Sequence, residues 1–92
     1  MIRKIRHRGL RVFFERGVTR YLNAHHVQRI QRILTALSVA NEPVDLGLPG
    51  FGLHRLRGEY DSYDAVSVSG NWRIIFRFEG ADVVDVELVD HY

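Results

Sequence analysis

The chain has 92 residues, of which 46% are hydrophobic and 26% charged, enough for one core of modest size. It contains no cysteine, which excludes disulfides, thiolate zinc sites and cysteine nucleophiles. The histidines lack the spacing of a metal motif, and no apolar run approaches the ~18 residues of a membrane span. No apolar stretch follows the basic N-terminus, so a signal peptide is not predicted. We expect a single domain over residues 1–92, located in the cytoplasm, without a cofactor, a metal or a membrane partner.

The charges are strongly segregated along the chain. Residues 1–37 carry nine of the 13 basic residues and one acidic residue, a net charge of +8, whereas residues 38–92 have a net charge of −6. Twelve of the basic residues are arginine, whose planar guanidinium suits phosphate. This pattern indicates a polyanion or an acidic protein as partner. A pair of helices with a solvated basic face explains the composition equally well.

Two helices are predicted in the N-terminal half. Residues 7–16 have a helix-like apolar face, and Gly17 is suited to follow the last turn. Asn23 is a favourable N-cap, and a second helix is expected from about residue 24 to residue 40. Its apolar residues recur at helical spacing: Val27, Ile30, Ile33, Leu34 and Leu37.

The C-terminal half changes to an alternation with period two. Residues 41–52 are predicted to form a loop attached to the core by Leu46, Leu48 and Phe51. Four strands are then expected, at Leu53–Arg57, Tyr63–Ser69, Trp72–Phe78 and Asp82–Val89. Residues 2–6 give a weak strand signal and could join the sheet at an edge or beside the last strand. The order of elements predicts an α+β domain with two N-terminal helices packed on a mainly antiparallel sheet of four to five strands.

The alternation of apolar residues in the last two predicted strands also predicts their pairing register. Their apolar alternation is satisfied when three pairs face the core: Phe76 with Val84, Ile74 with Val86 and Trp72 with Leu88. The turn between them then has three residues. The opposite face is expected to be polar, with Arg73 directly across from Glu87 as an ion pair.

Three places collect groups suited to proton transfer or phosphate binding. They are the segment Leu53–Gly58 with His54, Arg55 and Arg57, the segment Asn71–Arg73 together with Arg77, and the terminal residues Asp90–Tyr92. Cations and imidazoles without a carboxylate pair suit metal-independent RNA cleavage, in which a ribose 2′-oxygen attacks the neighbouring phosphorus. Each signal alone is more often structural: a hydrogen-bonded histidine, a cross-strand ion pair or a frayed terminus.

The sequence resembles the HigB family of plasmid-maintenance toxins in the RelE/ParE superfamily over essentially its whole length. The matching segments are Ile2-Arg3…Ile5-Arg6-His7-Arg8-Gly9-Leu10…Phe13-Phe14-Glu15…Gly17, Leu48-Pro49-Gly50-Phe51-Gly52-Leu53-His54-Arg55-Leu56-Arg57-Gly58 and Val66-Ser67-Val68-Ser69-Gly70-Asn71-Trp72-Arg73-Ile74-Ile75-Phe76-Arg77-Phe78. The resemblance implies a RelE-like toxin of a type II toxin–antitoxin system that cleaves mRNA in the ribosomal A site. It also implies a HigA-like helix-turn-helix antitoxin, through which the complex binds operator DNA.

The resemblance implies a catalytic set of five residues: His54, Arg57, Arg73, His91 and Tyr92. Arg57 stands where the family commonly has lysine, which keeps the charge but removes a possible proton donor. The family usually ends in Tyr-His, and here the order is inverted. His54 and Arg57 would face opposite sides of a regular strand, so both reach one site only if strand pairing ends near Gly58.

The expected RNA- or ribosome-binding residues are basic: Arg3, Lys4, Arg6, Arg8, Arg29, Arg32 and Arg77. The alternative is a non-catalytic module that binds nucleic acid or the ribosome and acts mainly through its antitoxin. A gyrase poison, as in the ParE branch, is disfavoured by His54 and His91, which that branch does not need.

Overall fold

The computed structural model describes residues 1–90, in which two helices cover one face of a four-stranded sheet. The strands follow one another in chain order, and each pairs antiparallel with the next. The elements are α1 (Arg8–Arg16), α2 (Val27–Val39), β1 (His54–Arg55), β2 (Asp64–Ser69), β3 (Trp72–Glu79) and β4 (Asp82–Val89). This architecture confirms the predicted α+β class. None of the helices in residues 1–90 has the length and apolarity of a membrane span.

Helix α1 forms within the predicted residues 7–16, whereas the predicted second helix, residues 24–40, begins as a 3₁₀ turn and is α-helical only over Val27–Val39. His7 caps α1, its Nδ1 accepting a hydrogen bond from the Leu10 N–H at 3.2 Å. Gly17 ends the helix at φ 71°, where its N–H donates to the Phe13 carbonyl, because glycine adopts this left-handed conformation without steric cost. Asn23 caps a short 3₁₀ turn, Ala24–His26, that leads directly into α2.

The main core lies between the helices and the sheet. α2 contributes four buried residues, and they meet the buried side chains of the sheet in one cluster. The loop between α2 and β1 contributes Leu46 and Phe51, as predicted. Leu48, expected to anchor the same loop, is 45% exposed, so that prediction is wrong.

The N-terminal segment lies beside β4. Ile2 forms a parallel bridge with Val83, and Ile5 forms one with Val86. Ile5 is buried in the main core, and Ile2 packs against that core. Of the two positions expected for residues 2–6, at an edge of the sheet or beside the last strand, the second is therefore confirmed.

The predicted register of β3 and β4 is wrong. Ile74 lies opposite Leu88 and Arg77 lies opposite Val84, with an irregularity between Ile75 and Arg77. Across this irregularity β4 advances three residues, from Val84 to Glu87, while β3 advances two. The extra residue is a β-bulge at Asp85, whose φ is +53°.

The bulge changes which residues of β4 face the core. Val83, Val86 and Leu88 contact the main core cluster, whereas Val84, expected there, is buried outside it. In a regular strand, alternate residues face the same side of the sheet. One inserted residue reverses this assignment for all residues on one side of the bulge. The turn is also shorter than predicted, because Glu79 pairs with Asp82 and only two residues connect them.

The face of the sheet away from the helices is less polar than expected. Ile75 is buried there in a second small cluster with Leu56 and Ala65. Tyr60, Tyr63 and Val89 pack against the same cluster. This face therefore has an apolar floor on which polar side chains can be positioned.

Candidate active site

A groove follows the edge strand β1 and contains both His54 and Arg57. Pairing in β1 covers His54 and Arg55 alone, and Gly58 then turns the chain at φ +70°. Seven consecutive residues, His54–Tyr60, line the resulting groove of about 560 Å³. In a regular strand His54 and Arg57 would face opposite sides. Because regular pairing ends before Arg57, both side chains reach one groove.

His54 is held by the backbone of its own loop. Its Nδ1 lies 3.1 Å from the Gly52 carbonyl oxygen. A carbonyl can only accept a hydrogen bond, so Nδ1 is assigned the proton and the lone pair of the neutral imidazole is on Nε2. An imidazole can both accept and donate a proton through its ring nitrogens, which suits proton transfer.

Asp64 is a buried carboxylic acid beside this groove, and no sequence motif marks it. It lies across from Arg55 in the β1–β2 pair, and its Oδ2 is 3.8 Å from Arg55 Nη1. Burial raises the pKa of Asp64, while the charges of Arg55 and His54 act in the opposite direction. Its position inside a strand pattern of alternating small and apolar residues gave no signal of a functional role.

Arg73 lies near the start of β3, with Ser67 opposite it on β2 and Val89 opposite it on β4. Its Nη1 donates to the Gly70 carbonyl at 2.6 Å and to the Trp72 carbonyl at 3.0 Å. Within residues 1–90, all hydrogen bonds of this guanidinium use Nη1. These bonds orient the guanidinium, and as far as residues 1–90 are concerned Nε and Nη2 stay available to a phosphate group.

The predicted ion pair between Arg73 and Glu87 is wrong. Glu87 lies opposite Ile75, two positions along β3. The cause is the bulge at Asp85, which shifts the later part of β4 relative to β3. Arg73 is consequently not neutralised by the carboxylate that the sequence pattern placed across from it.

His54 and Arg73 project from the same face of the sheet. His54 pairs with Ala65, and Ala65 pairs with Ile75, two residues from Arg73 on β3. Directly paired residues of antiparallel strands share a face, and so do residues two apart on one strand. Strand spacing and rise place the two Cα atoms about 12 Å apart, a separation that the two side chains and a phosphodiester between them can span.

The remaining two predicted catalytic residues, His91 and Tyr92, lie outside the described residues. β4 ends at Val89, which is the residue paired with Arg73. Their proposed roles stay predictions.

Three of the predicted ribosome-binding residues belong to an ion-pair network around the bulge at Asp85. Arg77 donates to Asp85 at 2.7 Å and to Glu79 at 2.9 Å. Arg3 also pairs with Glu79, and Lys4 Nζ lies 3.8 Å from Asp85. These hydrogen bonds raise the pKa of Arg77 and lower that of Glu79. The network holds the N-terminal segment and the bulge, and its acidic members offset most of its positive charge.

Arg29 is a structural clamp rather than a residue of a solvated helical face, as the helical pattern suggested. Its guanidinium donates to the Ser67 carbonyl at 3.1 Å and to the Gly50 carbonyl, and it lies over the Phe51 ring. It thereby joins α2 to the following loop and to β2. Arg6, Arg8 and Arg32 are exposed, and they are the predicted binding residues whose charge faces solvent without an ion-pair partner among residues 1–90.

Among residues 1–90, no group of three or more histidine, aspartate or glutamate side chains could hold a metal ion. The groove and the adjoining sheet face carry the imidazole of His54, the phenol of Tyr60, three guanidinium groups (Arg55, Arg57 and Arg73) and two carboxyl groups (Glu59 and Asp64). These groups can bind phosphate and transfer protons.

Comparison with known proteins decides the family. Residues 3–91 match the family model of the RelE-like toxin of the type II toxin–antitoxin system HigB. The chain belongs to this family. A curated relative, Endoribonuclease HigB of Proteus vulgaris, is 36% identical over 92 residues, which is 100% of both chains. The resemblance recognised from the motifs is confirmed, and an antitoxin is accordingly a partner of this HigB-like toxin.

Proposed function

We propose that this HigB-like toxin is an endoribonuclease that cleaves mRNA bound to the ribosome and thereby inhibits translation. The observation that carries the proposal is that His54 and Arg73 project from one face of the sheet, with Arg57 in the same groove as His54. The activity in the name of the Proteus vulgaris relative supports the same chemistry. Because its substrate is a translated message, we place the toxin in the cytoplasm.

The proposed reaction is attack of a ribose 2′-oxygen on the adjacent phosphorus, which leaves a 2′,3′-cyclic phosphate, or after hydrolysis a 3′-phosphate, and a 5′-hydroxyl. Arg73 and Arg57 stabilise the negative charge of the phosphorane. His54 transfers a proton to or from the reacting oxygens through Nε2. His91 and Tyr92 supply the complementary proton transfer or stack on a base. No step requires a metal ion.

We further propose that the antitoxin is HigA-like, with a helix-turn-helix domain, and that the toxin contacts operator DNA only indirectly through it. Arg6, Arg8 and Arg32 are proposed to contact ribosomal RNA, because they are exposed and free of acidic partners within residues 1–90. Such contacts make association dependent on salt, since bound cations displace counterions from the phosphates.

The test is cleavage of a defined message on programmed ribosomes by the purified toxin, with the new ends located by primer extension. Arg73→Ala should reduce the cleavage rate by ~10²–10³-fold, because a charge-stabilising donor is lost. Arg16→Ala, which removes an exposed arginine in the last turn of α1, is the matched control and should cleave as the parent does. A parent toxin that cleaves no message would overturn the nuclease proposal in favour of a non-catalytic, binding toxin, and full cleavage by Arg73→Ala would overturn the catalytic role of Arg73.

A further inference from the structure

Tyr60 lines the same groove as His54 and Arg57. We propose that its ring is the platform on which one base of the mRNA, next to the cleaved phosphate, stacks during the reaction. The inference rests on the proposed function, since it assigns a binding role within the same site. It adds a contact to a base within residues 1–90, where His54, Arg57 and Arg73 act on the phosphate and the ribose.

Two successive turns place Tyr60 at the groove. Gly58 begins the 3₁₀ turn Gly58–Tyr60, and the Asp61 N–H closes it on the Gly58 carbonyl at 3.1 Å. The Tyr63 N–H then donates to the Tyr60 carbonyl at 2.9 Å. Arg55 Nε also donates to the Asp61 carbonyl at 2.9 Å, so the turn is attached to β1. The backbone of Tyr60 is therefore fixed beside His54.

The ring of Tyr60 is also fixed. It meets the ring of Tyr63 edge-to-face, with centroids 5.6 Å apart and an interplanar angle of 86°. It packs against the cluster of Leu56, Ala65 and Ile75 but is only partly buried. An aromatic side chain that is already ordered loses little conformational freedom when a base stacks on it.

The groove offers the two components of single-stranded RNA binding in adjacent positions. Arg57 supplies a cation for the phosphate backbone, and Tyr60 supplies an aromatic surface for a base. The volume of about 560 Å³ lies within the ~300–1,000 Å³ of typical ligand clefts. Every base has a π-face, so stacking on Tyr60 strengthens binding of any sequence and does not select a codon.

The proposal predicts a defined kinetic effect. Stacking on an aromatic side chain corresponds to roughly a 5- to 150-fold change in affinity per base. Tyr60→Leu should therefore raise the KM for programmed ribosomes within that range and leave kcat nearly unchanged, because the contact is made equally in the ground state and the transition state. Tyr60→Phe should rescue KM, since it keeps the ring and loses only the hydroxyl.

The deciding experiment combines these variants with messages that carry a single abasic nucleotide at each position of the A-site codon. In the parent toxin, one abasic position should raise KM as much as Tyr60→Leu does. In Tyr60→Leu, that abasic position should have no further effect, because the stacking partner is already missing. Val44→Ser, which removes an exposed apolar side chain far along the chain, is a control expected to match the parent in every message.

Each result supports or overturns the inference. Additive effects of Tyr60→Leu and every abasic position would show that Tyr60 touches no base, and so would a loss that appears in kcat alone. If Tyr60→Leu does not fold, the parent toxin decides: equal KM for all abasic messages overturns the inference. A parent toxin that cleaves no message overturns the proposed function itself, and an active parent with an unchanged Tyr60→Leu variant overturns only the stacking role.

Discussion

Asp85 accepts a hydrogen bond from Arg77 Nε at 2.7 Å while its own backbone has a φ of +53°. The two facts are connected, because the bulge that needs this left-handed conformation also directs the carboxylate toward Arg77. Lys4 lies 3.8 Å from the other carboxylate oxygen. Aspartate is among the residues that adopt this conformation most readily, so backbone and side chain both favour it here.

Replacing Asp85 tests how much the bulge depends on this contact. Asp85→Ala should lower the free energy of unfolding by about 2–4 kcal/mol, because it loses a charged hydrogen bond and strains a left-handed backbone. Asp85→Asn keeps the backbone preference and a neutral acceptor, so its loss should be smaller. Urea denaturation of both variants measures the difference. Equal losses in the two variants would show that the left-handed backbone adds nothing to the cost.

The His7 cap predicts a pH-dependent stability. Burial lowers the pKa of His7, and the charge of Glu87 acts in the opposite direction. Protonated Nδ1 cannot accept the Leu10 N–H and places a cation at the positive end of α1. A lowered folded-state pKa means that the stabilisation is complete above the unfolded pKa of about 6.5. It is lost as the pH falls below that value through the folded pKa.

His7→Asn isolates this effect, because asparagine caps a helix well and does not titrate. The free energy of unfolding of the parent, relative to His7→Asn, should decrease by on the order of 1 kcal/mol, the value of an N-cap, between pH 7.5 and pH 5. Urea unfolding across that range provides the measurement. A difference that stays constant with pH would contradict titration of His7 as its cause.

The exposed arginines predict the salt dependence of ribosome binding. A double variant, Arg8→Gln with Arg32→Gln, should weaken binding and reduce the slope of log affinity against log salt by about 1.4–1.8. Its stability should be nearly that of the parent, since both side chains are exposed. Arg29→Gln should instead lose stability, because its guanidinium joins α2 to two carbonyls of other segments.

Ribosome pelleting between 50 and 200 mM KCl, together with thermal unfolding, measures both properties. Binding of the parent that is independent of ionic strength would mean that the basic face is only a solvated surface.

The terminal residues are tested by removal. Deletion of residues 90–92 should reduce single-turnover cleavage by ~10²–10⁴-fold if His91 or Tyr92 transfers a proton. The single variants His91→Ala and Tyr92→Ala assign the loss to one side chain. A deletion that cleaves at the parental rate would show that His54, Arg57 and Arg73 suffice.

The helices and strands could be predicted from the sequence because their signals are local. Asn23 and Gly17 mark helix ends through hydrogen bonds and backbone conformations within a few residues. The period of apolar residues distinguishes α2 from β3 for the same reason. The toxin family, too, was recognisable from motifs that are continuous along the chain.

What depends on long-range contacts could not be predicted. Val83 and Val84 are equally apolar, so alternation could not show that Val83 faces the core and that Asp85 forms a bulge. Strict alternation assumes one residue opposite one residue, and a single insertion in β4 broke that assumption. The expected pairing of Arg73 with Glu87 failed with it.

The sequence by itself determined the elements, their order and the residue types of the site. Only the tertiary structure decided which of those residues meet: Arg29 bonds to carbonyls 21 and 38 positions away, and the short β1 brings Arg57 beside His54. The local sequence around an arginine or a histidine does not indicate which distant group that side chain will contact. That partner is chosen by the packing of distant segments, and the free energy of that packing is shared over the whole core.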